Sequence, residues 1–182
     1  MQRPRHKRDN LAAMLKVLIF DLGHTILDEE SDRDLDIRVR PATPMPGVKE
    51  VLPTIKLRMG IWANTREASA DDVRQWLQRA SLDHYFSCIV TSHDVGYWKP
   101  DKMFFTCALA QCGCDANEVL FVGNQLNTDI AGANSCGIPS VLVVGREYKS
   151  LDDQPNANAR PTYRIRSLAQ LPELLAKIAK QT

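Results

Sequence analysis

Short runs of branched and aromatic residues recur along this chain, and a segment of helical character follows almost every one. The runs are "KVLIFD" from Lys16, "MGIWAN" from Met59, "SCIVTS" from Ser87, "EVLFVG" from Glu118 and "SVLVVG" from Ser140. Each is too short for a helix and apolar almost throughout, which is the pattern of strands buried on both faces. The segment 46–58 opens with Pro-Gly and reads as a helix that Pro53 makes irregular or splits. In 69–81, Ser69 is an N-cap candidate, Asp71 and Asp72 suit the first turn, and Val73, Trp76, Leu77 and Ala80 form a buried face. Helices are also predicted over 101–112, ending at Gly113, around 129–136, closed by Gly137, and over "RSLAQLPELLAKIAK" after the polar loop "LDDQPNANARPTY". Strand-helix alternation of this kind predicts the α/β class, a three-layer parallel sheet with helices on both faces.

In open sheets of this type the working crevice lies beyond the carboxyl ends of the strands. Polar residues fall there repeatedly. Asp21 ends the first run, Asn64 and Thr65 the second, and Asn124 the fourth. Ser92, His93 and Asp94 follow the third, just ahead of Lys99. A carboxylate can attack phosphorus and split a hydrolysis into two displacements. Cations must then hold the equatorial oxygens, and carboxylates gathered at neighbouring strand ends repel one another unless a hard cation such as Mg²⁺ sits between them.

Composition narrows the choice of partners. The 182 residues suit one domain, and a net charge of +1 argues against nucleic acid or anionic membrane as a general partner. Arg3, Arg5, Lys7 and Arg8 against Asp9 give the first thirteen residues +3 and leave −2 for the rest. Residues 1–13 therefore read as a basic, disordered tail and 14–182 as a single domain. No apolar run reaches the roughly 18 residues a membrane span needs, and no signal-type segment opens the chain, so a cytoplasmic location is expected. The five cysteines, Cys88, Cys107, Cys112, Cys114 and Cys136, form no CxxC pair and are expected as free thiols in a reducing compartment. The acidic run "DEESDRDLD" reads as a solvated face, and Trp98 as a packing residue rather than a substrate platform.

Four pieces in order, "VLIFDLGHTILD", "GIWANTRE", "GYWKPDKMFF" and "VLFVGNQLNTDIAGANSCGIPSVLV", resemble the haloacid dehalogenase-like (HAD) hydrolase superfamily, over about 16 to 175. The resemblance implies a Rossmann-like fold and Mg²⁺-dependent phosphoryl transfer through an aspartyl-phosphate. By that resemblance Asp21 is the nucleophile and a metal ligand. Lys99 steadies the phosphate and the charge of the nucleophile. Asp129, Asn124 and the Gly23 carbonyl complete the metal site, and Thr25, Asn64 and Thr65 bind the substrate. The implied partner is a phosphorylated substrate of unknown size, and a homo-oligomer is compatible with it.

Three positions depart from the family pattern. Gly23 stands where the family usually has a second Asp, a general acid and base typically worth roughly 10²–10⁴-fold in rate. His24 is adjacent, but neighbouring side chains of an extended segment face opposite ways. Ala63 stands where Ser or Thr is usual before Asn64, and Asn124 stands where an acidic metal ligand is usual. Two other readings therefore stay open: a pseudoenzyme that binds phosphate or a partner, and a metal-independent dehalogenase that attacks carbon with the same Asp. A receiver domain also uses Asp, Lys-Pro and Mg²⁺, but its phosphoacceptor ends a later strand. The intervals between the pieces leave room for a small flap around 28–44 and for no cap domain.

Overall fold

The computed structural model describes residues 11–29, 34–145 and 158–180. β1 (Val17–Phe20) lies inside the sheet, with β2 (Arg58–Ala63) and β3 (Phe86–Thr91) to one side. β4 (Val119–Gly123), β5 (Ser140–Val143) and β6 (Tyr163–Ile165) lie to the other, giving the order β3-β2-β1-β4-β5-β6. Every pairing is parallel. All four residues of β1 are buried, as a central strand covered on both faces requires.

Successive residues of β1 serve different layers. Val17 and Ile19 pack with Trp62, Phe121 and the buried side of α5 (Lys102–Cys112), which follows the short α4 (Ser92–Val95), together with Ala133 of α6 (Ala131–Ser135). Leu18 and Phe20 pack with Ile61, Leu120 and Val122 against α2 (Val48–Val51), α3 (Ala70–Arg79) and α7 (Leu171–Ala179). The predicted three-layer α/β fold is thus the observed one. Trp62 meets Phe105 edge-on at 5.9 Å. Such a pair adds about 0.5–1.5 kcal/mol beyond area burial, and here it fixes the end of β2 that faces the crevice.

The local signals behave as their chemistry dictates. Ser69 and Asp72 form a reciprocal capping box at the start of α3, and Val73, Trp76 and Leu77 are its buried face. Asp101 accepts from the Met103 N–H at the start of α5, and Gly113 ends that helix in the left-handed region at φ 58°. Pro53 does split its segment, into α2 and a 3₁₀ turn at Leu52–Thr54.

Four expectations are corrected. The segment ending "RPTY" was expected as loop, yet Tyr163–Ile165 forms the edge strand β6; three residues, only one of them buried, leave no apolar run to find. Cys88 and Cys112 are joined by a disulfide, with Cys107, Cys114 and Cys136 free. Residue 88 on β3 and the last residue of α5 come to a Cα separation of 5.7 Å, within bridging range. The argument from five free thiols to a reducing compartment therefore lapses. Trp98 is 47% exposed and does not pack in the core. Leu11, inside the segment 1–13 read as a tail, is 4% exposed in α1 (Leu11–Met14), which packs against α7. Residues 1–10, the rest of that segment, lie outside the described ones. Among the described residues, no helix is long and apolar enough to cross a membrane.

Between β1 and α2 the described residues form turns and two isolated bridges, Gly23 with Leu27 and Leu27 with Pro44. This flap is strapped to α3. Arg38 Nε donates to Asp72 Oδ1 at 3.0 Å, Arg79 donates to the Ile37 carbonyl at 2.6 Å, and Trp76 Nε1 donates to the Pro41 carbonyl at 3.0 Å. The tied residues, 37–41, lie just beyond "DEESDRDLD", whose residues 34–36 are exposed, as a solvated face requires; its residues 30–33 lie outside the described ones.

Candidate active site

β1 stops at Phe20, and the Asp21 N–H still bonds the Val122 carbonyl at 2.9 Å. Asp21 is thereby held at the carboxyl edge of the sheet. Lys99, which immediately precedes the turn into α5, reaches the same point from another part of the chain. Its Nζ lies 2.5 Å from Asp21 Oδ1, 2.8 Å from Asp129 Oδ1 and 3.0 Å from the Trp62 carbonyl. All three ammonium protons thus have acceptors. Asp129 is 1% exposed, and its Oδ2 accepts from the N–H groups of Asn124 and Gln125 at 3.1 and 3.0 Å. Gly123 makes this possible: a Cβ there would stand 2.5 Å from Asp129 Oδ2.

Charge is scarce and shared in this cluster. Burial first, then the negative charge of Asp129, pushes Asp21 up to about 7, with Lys99 opposing and Glu29 adding a little. Burial also disfavours the charged form of Lys99, but Asp129 and Asp21 together outweigh it and raise Lys99 above its ordinary value. Asp21 leaning toward neutrality and Lys99 toward charge describe one situation. Two carboxylates compete for one ammonium, and the surplus negative charge attracts a proton.

The structure sorts the sequence candidates. Asp21, Lys99 and Asp129 come together in direct contact. Asn64 lines the hollow, but both ends of its amide are taken: Oδ1 accepts from the Lys99 N–H at 2.8 Å and Nδ2 donates to the Lys99 carbonyl at 3.0 Å. It is a clamp on Lys99 rather than a free substrate contact. Thr65 turns away, its hydroxyl donating to the Ala68 carbonyl at 2.6 Å while its N–H bonds Ser92 Oγ at 2.8 Å. Thr25 is 1% exposed beneath the carboxylate, its Oγ1 being 3.4 Å from both Asp21 Oδ2 and Asn124 Oδ1. The substrate-binding roles expected of Asn64 and Thr65 are thus corrected, because their polar atoms are already committed to backbone. His24 faces Asp28, with Nδ1 3.7 Å from Oδ1.

Asn124 reports on the cation. Its Nδ2 is buried with no partner. One Thr25 proton cannot serve both Asp21 and Asn124. A half-turn of the amide resolves both problems. Nδ2 then donates to Thr25 Oγ1, Thr25 donates to Asp21 Oδ2, and the amide oxygen takes the unpartnered place. An amide oxygen freed in this way has the donor chemistry of a ligand for a hard dication, weaker than an acidic group in the same place.

Sequence reasoning missed Glu29. The chain curls after Asp21, with the Ile26 and Leu27 N–H groups both bonding the Leu22 carbonyl at 2.8 and 3.0 Å. Glu29 is thereby returned over Gly23. A Cβ built on Gly23 would overlap the Glu29 carboxyl group, with Oε1 at 2.9 Å. No periodicity or motif marks an acid eight positions beyond Asp21. The hollow lined by Asp21, Gly23, Glu29, Asn64, Lys99 and Asp129 has a volume of about 60 Å³. A larger groove of about 380 Å³ lies between Leu15, Leu57 and α7, apolar and remote from these groups.

Comparison with known proteins agrees with this arrangement. A glyceraldehyde 3-phosphate phosphatase of Methanothermobacter thermautotrophicus is 31% identical over 137 residues, 72% of this chain and 58% of that protein. A pyrimidine 5'-nucleotidase of Escherichia coli (strain K12) is 36% identical over 137 residues, 74% of this chain and 58% of that protein. The chain thus spans little more than half the length of these relatives. A solved structure of an uncharacterized protein from Listeria monocytogenes serotype 4b superposes with a TM-score of 0.77 at 25% identity, covering 91% of this chain and 99% of that one. A family model described as haloacid dehalogenase-like hydrolase matches residues 34–143, more than half of the sequence although it begins downstream of Asp21. With the parallel sheet and the Asp21–Lys99–Asp129 cluster at its carboxyl edge, the chain belongs to the haloacid dehalogenase-like hydrolases.

Proposed function

We propose that this chain is a Mg²⁺-dependent phosphatase that passes the phosphoryl group through Asp21. The observation that carries the reading is the shared ammonium, with Lys99 Nζ 2.5 Å from Asp21 and 2.8 Å from Asp129 at the sheet's carboxyl edge. Lys99 opposes the burial that drives Asp21 toward its neutral form and offers positive charge where charge builds on the equatorial oxygens. Asn64 fixes the backbone of Lys99, so the ammonium stays aimed without depending on substrate. Thr25 limits rotation of the Asp21 carboxyl from below. Asp21, the Gly23 carbonyl and Asn124 would hold the dication, with Asp129 ordering the turn beside it. Once bound, the cation would supply charge neutralisation and orient the phosphate.

A hollow of about 60 Å³ has the share of roughly two waters in the liquid, room for a phosphoryl group and little more. The rest of a substrate must lie outside it, and Tyr97 and Trp98, 39% and 47% exposed, directly precede Lys99 in the chain. Among the described residues the strapped flap is all that lies between β1 and α2, and we read the domain as capless. The names of the two relatives point to small phosphate esters, and the open site also admits a larger phosphorylated partner.

The test is hydrolysis of p-nitrophenyl phosphate in Mg²⁺ by wild type and Asp21→Asn. Wild type should turn over, the variant should fall below a thousandth of its rate, and a +80 Da adduct should map to Asp21 after acid quench. Equal rates would remove Asp21 from the chemistry. One further reading keeps specific support, because Gly23 and Asn124 lack the family's acidic groups. A dehalogenase would release halide from a 2-haloacid in EDTA, also through Asp21. An inert wild type that still binds beryllofluoride would favour the pseudoenzyme.

A further inference from the structure

Gly23 removes the usual acid from beside the nucleophile, and the structure puts another carboxylate in the space. We propose that Glu29 is the general acid and base of the reaction, an inference that rests on the Asp21 phosphatase reading. Three observations carry it. The Glu29 carboxyl group occupies the volume into which a side chain at position 23 would project. It lines the same hollow as Asp21, Lys99 and Asp129. Backbone bonds hold the approach to it: the Leu22 carbonyl accepts from Ile26 and Leu27, and the Asp28 N–H donates to the Thr43 carbonyl at 2.8 Å. Among the described residues, no side chain forms a hydrogen bond or ion pair with the Glu29 carboxylate, so it is free to exchange a proton with a substrate. Two other groups fit worse, since His24 faces Asp28 and Thr65 is committed to Ala68.

The proton path balances. In the first displacement the Asp21 oxygen bonds phosphorus as the P–O bond to the leaving group breaks. Glu29 in its acid form protonates that oxygen, and the alcohol departs. In the second, the Glu29 carboxylate takes a proton from water as the water oxygen bonds phosphorus and the P–O bond to Asp21 breaks. Phosphate leaves, and Glu29 is again protonated. An Asp at 23 and the Glu29 carboxyl in its present place would compete for the same space, so one of the two side-chain ends would have to shift.

The test uses the full chain in Mg²⁺ with two substrates, p-nitrophenyl phosphate, whose leaving group needs no protonation, and β-glycerophosphate, whose leaving group does. With Glu29→Gln, phosphorylation of Asp21 by the aryl ester should stay within about threefold of wild type. The phosphorylated protein should accumulate by mass, and turnover should fall about 10²–10³-fold. With the alkyl ester, phosphorylation itself should fall by at least about 10²-fold. Gly23→Asp in a Glu29→Ala background should recover at least tenfold of the turnover that Glu29→Ala loses. Wild-type turnover of both esters by Glu29→Gln would overturn the proposal. So would a loss repaired entirely by more Mg²⁺, which would make Glu29 a metal ligand. A wild type that forms no adduct on Asp21 overturns the phosphatase reading, and the Glu29 role with it. An adduct on Asp21 together with an indifferent Glu29→Gln sinks the Glu29 role alone.

Discussion

Asp21→Asn separates the electrostatics of the site from its catalysis. The Asp21 carboxyl is 8% exposed and is pushed from its ordinary 3.8 up to about 7, by burial and then by Asp129, with Lys99 opposing. Between those values the folded protein keeps a proton that the unfolded chain has released. Stability therefore falls as pH rises from about 4 to about 7 and stays lower above that window. About three pH units at about 1.4 kcal/mol each set a ceiling of about 4 kcal/mol. The ion pair with Lys99 belongs to the same balance, and the site relaxes when charged, so about 1–3 kcal/mol is the expected size. Asparagine keeps the shape and cannot ionise. In EDTA the wild type should thus lose about 1–3 kcal/mol relative to Asp21→Asn between about pH 4.5 and about pH 8, and the variant should be the more stable protein at the upper end. Urea unfolding at stepped pH reads this directly, with equal slopes showing that only stability moved. Parallel curves would refute the reasoning. A wild type that gains on the variant as pH rises would show that Lys99 depresses Asp21 instead.

Two further predictions concern the scaffold. A Cβ at Gly132 would overlap the Phe105 ring, with Cζ at 2.5 Å, and stand 3.1 Å from Pro100 Cα. Gly132→Ala should therefore cost about 1–3 kcal/mol in urea unfolding by pushing α6 from α5, and an unchanged midpoint would mean that the contact yields freely. Removing residues 1–13 deletes the buried Leu11, worth about 1.5–3 kcal/mol. At about 2–4 °C per kcal/mol the melting temperature should fall by roughly 3–12 °C, and no fall would mean that α1 contributes nothing to stability.

What could be read from the sequence was whatever a residue's own type and spacing settle. Continuous apolar runs name buried parallel strands because both faces are covered, and Ser69, Asp101 and Gly113 mark helix ends through chemistry confined to one turn. Asp21, Lys99 and Asp129 were legible because each directly follows or precedes such an element, so topology brings them together. The failures share a cause. Asn64 and Thr65 are spent on the carbonyls of Lys99 and Ala68, whose positions depend on how two loops meet. The Cys88–Cys112 pairing depends on where α5 ends relative to β3, and β6 on an edge that exposes most of its side chains. Glu29 needed the loop's curl, which no single residue specifies.

The departures at 23 and 124 then bear on one another. Three carboxyl groups, of Asp21, Asp129 and Glu29, stand against the single ammonium of Lys99, a surplus that a bound dication would offset. An acid at 124 in place of the amide would add a further carboxyl group to the loaded site. At an effective dielectric near 20, one unit charge about 6 Å away is worth about 3 kcal/mol per charge on an incoming phosphate dianion, before salt screening. On the Mg²⁺-phosphatase reading proposed above, Asn124 would weaken the hold on metal while removing repulsion toward the phosphate, two effects opposite in sign. At position 23 the Glu29 carboxyl fills the space that a side chain there would take. On that reading the altered positions trade attraction for the cation against attraction for the phosphate, which suits a hollow of about 60 Å³ that takes in little else of a substrate.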